Sequence, residues 1–299
     1  MPLPINITFL GTAGSTPTKE RALPSVAIEY DGNTYLFDCG EGAQRQLIVY
    51  GISPYRIKAI FITHIHGDHV IGVAGLVRTL ALSKRTDPLY IYVPRGEELK
   101  VTPLLTFDRA LIGYEVRVIG VKSGSVLKGR GFSVRAFMLR HSVPTYGYAF
   151  TEDDRYRFDK EKCKRLGLKG EMYSELQKGR SVKLGKRTVR LNDVATKLTG
   201  RKVVYATDTR PAATTIKASR GADILIHEAT YAEELKPLAK GRLHSTAMEC
   251  ADIAKRAKVK RLIIFHMSAR YKRPDALLKE ARAVFKSTDA AYDGMRIMI

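Results

Sequence analysis

The chain contains 299 residues, 44% of them hydrophobic, and carries a formal net charge of +21 at pH 7. That length and apolar content suit one large domain or two, and no apolar run approaches the length of a membrane span. The three cysteines, Cys39, Cys163 and Cys250, are widely spaced, and the start shows no signal-peptide pattern. We therefore expect a cytoplasmic protein without a disulfide framework or a thiolate metal site.

The excess of basic residues is large, because 51 Lys and Arg stand against 30 Asp and Glu. Solubility needs far less charge than this, so a polyanionic partner is the leading explanation, and we expect nucleic acid rather than a membrane. The alternative is a highly charged surface of the kind found in thermophilic proteins. Such surfaces mix both signs in ion-pair networks, whereas this composition is lopsided.

Alternating and β-branched segments dominate the first half of the chain. They predict strands at 5–10, 25–30, 34–38, 57–63, 89–93, 114–121, 132–139 and 146–151. Asp31-Gly32-Asn33 is a strong hairpin signal between the second and third of these strands. Apolar residues at helical spacing predict helices at 44–50, 70–82 and 97–105.

In the second half of the chain, predicted strands alternate with helices. The strands are expected at 202–207, 223–226 and 261–265, and the helices at 246–259 and 275–286. Thr246-Ala247-Met248-Glu249 has the form of a capping box, which marks the start of the first of these helices. Hairpins early and strand–helix units late predict an α/β fold, with sheets covered by helices in four layers within a single domain, 1–299.

A dense group of ligand-type side chains directly follows the predicted strand at 57–63. It comprises His64, His66, Asp68 and His69. Imidazole nitrogens and a carboxylate at a rigid strand end fit a divalent metal site. Four donors so close in sequence cannot all point at one small tetrahedral ion, so two metals are expected. The alternative is a polar loop in which histidines recur by chance, but the pattern is far denser than a lone histidine.

Several other predicted strands also end in a residue that can ligate a metal or transfer a proton. These residues are Asp38, His141, Asp208, His227-Glu228 and His266. A site assembled from distant parts of a chain must lie where many strand ends converge, and we expect these side chains to meet there. The alternative for each distant histidine is a structural imidazole that is satisfied by hydrogen bonds.

The motifs around Asp38, His64 to His69, His141, Asp208 and His266 resemble, in order, those of the metallo-β-lactamase superfamily. This resemblance implies a four-layer αββα sandwich with a dinuclear metal site. Five further segments resemble the short form of ribonuclease Z, the endonucleases that remove 3′ trailers from precursor tRNA. They are 17–21, 208–211, 227–230, 244–246 and 268–271.

The resemblance implies two ligand sets and a bridge between them. His64, His66 and His141 would hold one Zn²⁺, whereas Asp68, His69 and His266 would hold the other, and Asp208 would bridge both. Mn²⁺ stays possible, since it accepts the same nitrogen and oxygen donors. Asp38 would orient ligated imidazoles by accepting an N–H, although a strand-end Asp could instead cap the helix near Glu41.

The resemblance also implies how the phosphodiester is cleaved. The two ions would lower the pKa of a bridging water towards ~7, and Asp68 would accept its proton. His244, oriented by Glu228, would protonate the ribose 3′-oxygen as it leaves. Cleavage just after the discriminator nucleotide would leave a 3′-OH on the tRNA and a 5′-phosphate on the trailer. The alternative for Glu228 and His244 is a structural buried ion pair.

A strongly basic insertion lies between His141 and Asp208. Residues 155–190 contain thirteen Lys and Arg against four Asp and Glu. The resemblance implies that the segment 152–198 is a tRNA-gripping arm that contacts phosphates independently of sequence. The alternative is a solvated, mobile loop. The family's bacterial arm carries a Gly-Pro pair, which Gly167-Leu168-Lys169-Gly170 lacks, so the arm's details depart from the pattern.

Further RNA contacts and the assembly are implied in the same way. The residues expected to contact RNA are Lys19, Arg21, Arg210, Arg270, Lys162, Lys164, Arg165 and Lys169. The family's dimers imply a homodimer, whose substrate is precursor tRNA. Two other functional classes agree with part of these observations: a small-molecule hydrolase of the lactonase or glyoxalase II type, and a non-enzymatic RNA-binding protein. The basic insertion argues against the first, and the complete ligand set against the second.

Overall fold

The structure is a computed structural model that describes residues 3–106, 112–185 and 187–299. The chain divides into two compact units. The first, which we call the sandwich unit, comprises Met1–Lys128, Ser133–Phe150 and Lys202–Ile299. The second, which we call the inserted unit, comprises Gly129–Phe132 and Thr151–Arg201. The insertion therefore leaves the sandwich unit after Phe150 and returns to it at Lys202.

The strands of the described residues extend over both units and are numbered from the N-terminus. They are β1 (Asn6–Gly11), β2 (Ala13–Gly14), β3 (Ser25–Tyr30), β4 (Asn33–Phe37), β5 (Ile57–Phe61), β6 (Leu89–Pro94), β7 (Val116–Val121), β8 (Gly124–Gly129), β9 (Phe132–Met138), β10 (Tyr146–Glu152), β11 (Arg155–Phe158), β12 (Val182–Leu184), β13 (Arg187–Val189), β14 (Ala195–Leu198), β15 (Lys202–Ala206), β16 (Ile224–Glu228), β17 (Arg261–Phe265), β18 (Met267–Ser268), β19 (Thr288–Ala290) and β20 (Arg296–Met298).

The helices are numbered in the same direction. They are α1 (Ala43–Val49), α2 (Gly67–Val70), α3 (Gly72–Leu82), α4 (Glu98–Thr106), α5 (Lys160–Arg165), α6 (Glu171–Gln177), α7 (Leu191–Val194), α8 (Ala213–Ser219), α9 (Lys236–Gly241), α10 (Ala247–Ala257) and α11 (Asp275–Val284), with 3₁₀ turns at Pro54–Arg56 and Glu233–Leu235. Across the described ranges, no helix has the length and apolar character needed to cross a membrane.

Two large mixed sheets form the fold. Within the described residues, the first has the order β20-β1-β3-β4-β5-β6-β7 and the second the order β19-β17-β16-β15-β10-β9-β8. In the first sheet β4, β5, β6 and β7 run parallel, and in the second β15, β16, β17 and β19 do so. Parallel strands buried on both faces need apolar residues almost throughout, as in β17, Arg-Leu-Ile-Ile-Phe.

The side chains of β5 show how the layers are built. Ile60 belongs to the apolar cluster that includes Leu47 of α1 and Leu76 of α3. The next residue, Phe61, points to the opposite face, where its ring centroid lies 5.3 Å from that of Tyr148 in β10. Alternation along the strand thus packs helices on one face and the other sheet on the opposite face.

The second sheet is covered in the same manner. Leu225 of β16 packs in a cluster that includes Ile253 of α10 and Leu277 of α11. Tyr205 of β15 instead faces the first sheet, with its ring centroid 5.9 Å from that of Phe37. Helix, sheet, sheet and helix therefore form four layers, which confirms the predicted αββα fold.

The boundaries of some elements differ from the predictions where the hydrophobic pattern of the sequence was weak. The helix predicted at 70–82 is divided at Ile71 into α2 and α3, so that α2 carries Asp68 and His69. The strand predicted at 57–63 ends at Phe61, and the two following residues lead into the metal loop. The sequence also missed β8, β19 and β20, the last two of which contain three residues each.

The inserted unit has a small core of its own. The strand β11 pairs with β14, and β12 pairs with β13 in a second hairpin. Its buried residues are Cys163, Leu168, Leu176, Val189 and Val194. An ion pair joins the start and the end of the segment Thr151–Arg201, because Arg201 Nε and Nη2 each lie 2.8 Å from a carboxylate oxygen of Glu152.

Candidate metal centre

The predicted ligands of the sandwich unit meet beyond the strand ends. Candidate ligand atoms of His64, His66, His141 and Asp208 all lie within 4.8 Å of one another. The same holds for a second group, which consists of Asp68, His69 and His266. Asp68 and His69 belong to α2, and the other side chains come from loops that follow β5, β9, β15 and β17. The structure thus brings together the residues that the sequence assigned to two sets.

Asp208 lies between the two groups. Its Oδ2 atom is 3.6 Å from His64 Nε2 and 3.7 Å from His141 Nε2. Its Oδ1 atom is 3.4 Å from His69 Nε2 and 3.1 Å from His266 Nε2. One oxygen therefore faces each group, an arrangement that suits a carboxylate shared by two cations.

The backbone at this edge adopts conformations that non-glycine residues rarely take. The φ angle is 58° at Asp38, 50° at Asp208 and 54° at His266. Each left-handed residue of this kind costs roughly 1–2 kcal/mol. Such positions cluster at functional sites because the turn redirects a side chain that a continuing strand would point elsewhere.

Two buried nitrogens indicate that a cation belongs at this place. In the part of the chain that the structure describes, His69 Nε2 and His266 Nε2 are buried and make no hydrogen bond, although Asp208 Oδ1 lies 3.4 and 3.1 Å from them. A buried polar atom without a partner costs about 1–3 kcal/mol. A divalent metal ion would satisfy both nitrogens, and the surrounding imidazoles and carboxylates are the donors that such ions take. The residues present therefore fit a divalent metal.

Asp38 fixes the imidazole of His69 on the side away from the other candidate ligands. Its carboxylate is fully buried and accepts hydrogen bonds from Thr63 N at 2.8 Å and Tyr205 Oη at 2.9 Å. His69 Nδ1 donates to Asp38 Oδ2 at 2.8 Å, which leaves His69 Nε2 free for a metal. Helix α1 starts after Gly42 without a side-chain cap, so Asp38 does not act as its cap.

The same carboxylates control the charge of His69. Burial of the ring disfavours its protonated form, but Asp208, Asp38 and Asp68 together raise the pKa of His69 well above the usual value. Burial of Asp68 opposes its ionisation, yet His69 and His266 hold the pKa of Asp68 below its usual range. The centre is thus a compact set of negative groups around imidazoles, which is the environment that attracts a cation.

His244 and Glu228 form a second pair beside this centre. His244 Nδ1 lies 3.0 Å from Glu228 Oε1, and Glu228 is fully buried. Burial disfavours the protonated imidazole, but Glu228 raises the pKa of His244 to about 9. The ring of His244 lies close to two predicted ligands, with centroid distances of 5.2 Å to His141 and 5.6 Å to His266.

Sequence reasoning missed two residues that organise the site. Tyr205 resembles any core aromatic of a strand, but its hydroxyl binds Asp38. Thr230 Oγ1 donates to Glu228 Oε2 at 2.6 Å and lies 3.1 Å from His266 Nδ1, so it connects the two halves of the site. The only signal for Thr230 was its place in the 227–230 motif; Tyr205 gave none.

The site opens into a cavity of about 390 Å³. Among its lining residues are His66, Asp68, His141, Asp208, His244, Tyr231, Arg242 and Arg270. The Arg270 guanidinium carbon lies 5.9 Å from the ring centroid of Tyr231. Candidate metal ligands, the imidazole of His244, an aromatic ring and two guanidinium groups therefore face one opening.

The other residues expected to contact RNA lie in different environments. Lys19 and Arg21 line a separate cavity of about 430 Å³, and Arg21 is buried and donates to Tyr271 O at 2.7 Å. Arg210 forms an ion pair with Glu249. The four expected RNA contacts in the inserted unit are exposed: Lys162, Lys164, Arg165 and Lys169.

Comparison with known proteins identifies the family. The metallo-β-lactamase superfamily matches residues 21–158, and a related β-lactamase superfamily domain matches residues 184–267. The chain is 43% identical over 298 residues to ribonuclease Z of Archaeoglobus fulgidus, covering 98% of this chain and 97% of that protein. It is 40% identical over 299 residues to ribonuclease Z of Methanosarcina acetivorans, covering 99% and 98%.

A solved structure agrees with these relatives. The crystal structure of the short form of human tRNase Z superposes with a TM-score of 0.71 at 28% identity, over 98% of each chain. The metallo-β-lactamase fold protein YhfI of Bacillus subtilis, at 19% identity and a TM-score of 0.74, shares the fold. The chain therefore belongs to the ribonuclease Z family of the metallo-β-lactamase superfamily.

Proposed function

We propose that this metal-dependent endoribonuclease removes the 3′ trailer of precursor tRNA by hydrolysing the phosphodiester just after the discriminator nucleotide. The products would be a tRNA with a 3′-OH and a trailer with a 5′-phosphate. The observation that carries the proposal is Asp208, whose two oxygens face two groups of ligand atoms in a cavity that also contains His244. The relatives named ribonuclease Z and tRNase Z support RNA, and tRNA in particular, as the substrate.

Two ions would be held by the two groups of side chains. His64, His66 and His141 would bind one, Asp68, His69 and His266 would bind the other, and Asp208 would bridge them. We propose Zn²⁺, with Mn²⁺ as an alternative that the same donors accept. Bound there, the cations would lower the pKa of water towards ~7 and offset the negative charge that develops on the phosphate.

We propose that Asp68 removes a proton from the attacking water. Its side chain lines the cavity, and Ser15 N donates to its Oδ2 atom at 2.9 Å, which fixes the carboxylate. Burial raises the pKa of Asp68, but His69 and His266 lower it further, so the carboxylate is ionised and able to accept a proton, although as a weaker base. An ionised carboxylate with one oxygen oriented by a backbone N–H can act as a general base.

We propose that His244 protonates the leaving group. Its Nδ1 atom is held by Glu228, so Nε2 is the atom that can deliver a proton to the ribose 3′-oxygen. Its pKa of about 9 keeps it charged at neutral pH. An alkoxide is a poor leaving group, and general acid catalysis contributes about 10²–10⁴-fold to such a step. A small-molecule hydrolase acting on an activated ester would have no need of this pair.

The inserted unit would hold the body of the substrate. Its exposed cations, with Lys162, Lys164, Arg165 and Lys169 around α5, provide charge for phosphate contacts. We propose that the segment 152–198 grips folded tRNA by shape and charge rather than by sequence. We also propose that the protein acts as a homodimer in the cytoplasm, as the resemblance to the family implies.

The test is cleavage of a 3′-extended precursor tRNA by the purified protein, with and without a chelator. Cleavage next to the discriminator base should stop on chelation and resume when Zn²⁺ or Mn²⁺ is added back. A His66→Ala variant should be inactive, and an exposed Lys279→Ala variant should match the wild type. Uncleaved precursor beside rapid hydrolysis of a lactone or a thioester would overturn the proposal.

A further inference from the structure

Arg210 lies where the loop after β15 meets the loop before α10. Its side chain is 11% exposed, and Nη1 donates both to His244 O at 2.5 Å and to Glu249 Oε2 at 2.7 Å. The Nη2 atom pairs with Glu249 Oε1. The backbone N–H of Arg210 donates to Arg140 O at 2.8 Å. Arg210 therefore contacts the main chain of the proposed proton donor directly.

Glu249 extends this contact to the start of α10. Its carboxylate accepts from Thr246 N at 3.0 Å, while Thr246 Oγ1 accepts from Glu249 N at 3.2 Å. This capping box fixes Thr246, the second residue after His244. A further bond joins the same two loops, since Ser245 Oγ donates to Thr209 O at 2.5 Å. The loop that carries Asp208 and the loop that carries His244 are thus bound together.

The segment that precedes His244 needs such support. Leu243 has a φ angle of 58°, a conformation that is unfavourable for a residue with a β-carbon. Its carbonyl is 3.2 Å from His141 Nδ1, so a shift here would disturb a proposed ligand as well. A conformation of this kind persists only where the surroundings hold it on both sides. Arg210 holds the carbonyl on the far side of His244.

We propose that Arg210, with Glu249, is a positioning residue that sets the orientation of His244, and that it does not bind RNA phosphate as the sequence suggested. Three N–H donors of the guanidinium are used here, so the edge formed by Nη1 and Nη2 cannot hold Glu249 and a phosphate at the same time. To reach RNA, it would have to release both Glu249 and the carbonyl of His244. This inference rests on the proposed function of His244 as the proton donor.

The first test separates binding from catalysis on precursor tRNA. In Arg210→Met, kcat should fall on the order of 100-fold because the acid is misplaced, while KM and its salt dependence should stay unchanged. In Glu249→Gln, which removes a negative charge, kcat should fall in the same direction. Arg256→Met, which removes an exposed cation of α10, is the matched control and should behave as the wild type.

A phosphate-binding Arg210 would give the opposite pattern. Arg210→Met would then raise KM, reduce the salt slope of binding by about one and leave kcat intact. Glu249→Gln would free the guanidinium and lower KM. Either result would overturn the inference while leaving the proposed function in place, whereas a wild type that does not cleave precursor tRNA would overturn the proposed function itself.

The second test uses the leaving group. A precursor with sulfur in place of the bridging 3′-oxygen is cleaved when water attacks phosphorus and the P–S bond breaks. The thiolate departs without needing a proton, so a misplaced His244 should not matter. Arg210→Met should cleave this substrate within a few-fold of the wild-type rate. Equal losses on both substrates would show a merely structural role and would also overturn the inference.

Discussion

The two units place their charged side chains in opposite ways. In the sandwich unit Asp38, His69, Glu228 and His266 have no exposed surface, and each is bound to another member of the site. In the inserted unit the cations around α5 are exposed and surround a small apolar core. Buried groups that share hydrogen bonds act as a set, whereas exposed cations act one by one. Substitutions should therefore have large and coupled effects in the first unit, and small and additive effects in the second.

The largest effect is expected at Asp208, because it faces both groups of ligands. Asp208→Ala should lower bound metal from about two ions per chain towards none and reduce cleavage by on the order of 10³-fold or more. Metal content by plasma mass spectrometry and cleavage rates measure the two effects. Asp252→Asn, which changes an exposed carboxylate of α10, is the control. Retention of both ions by Asp208→Ala would contradict a shared carboxylate.

The next effect concerns the pH dependence of Glu228→Gln. The acid role needs protonated His244, so kcat should fall as pH rises through the pKa of that group, which Glu228 raises to about 9. Without the carboxylate this pKa should be lower, and the alkaline limb of kcat should move to lower pH. At pH 8 the loss should be about 100-fold. An alkaline limb at the same pH as the wild type would show that Glu228 does not act through His244.

A smaller effect on metal binding is expected at Tyr205, which contacts the candidate ligand His69 only through Asp38. Tyr205→Phe keeps the ring in the core but removes the hydroxyl that binds Asp38 at 2.9 Å. Loss of a partner that supports a metal ligand typically lowers metal affinity by about 10–100-fold. For Tyr205→Phe we expect metal affinity to fall by about 10-fold, because Thr63 and His69 still bind Asp38. Competition with a chelator measures the metal affinity of the variant. Tyr92→Phe offers a matched control, since Tyr92 stacks on Phe61 in the same core.

The same contrast explains how far the sequence leads. The fold and the meeting of these side chains at one edge were predictable, since the 64–69 segment is a local motif and parallel strands bring their ends to one edge. Whether an arginine is free to contact RNA was not predictable, because this depends on a partner that lies far away in the sequence. Arg210 pairs with Glu249, and Arg21 donates to the carbonyls of Ser268 and Tyr271, although both looked like RNA contacts. The sequence gives the charge of such a side chain but not the group within the protein with which it is already paired.

The smallest effect is expected for single cations of the inserted unit. Lys162→Gln or Lys169→Gln should raise KM for precursor tRNA only a few-fold and reduce the salt slope of binding by about one, because each removes one phosphate contact. The two changes together should add, since these side chains are exposed and no described ion pair links them. Binding isotherms at several salt concentrations measure this, with Lys279→Gln as the control. A fall in kcat at saturating substrate after one such change would contradict the contrast between the units, since it would make an exposed cation part of the coupled set.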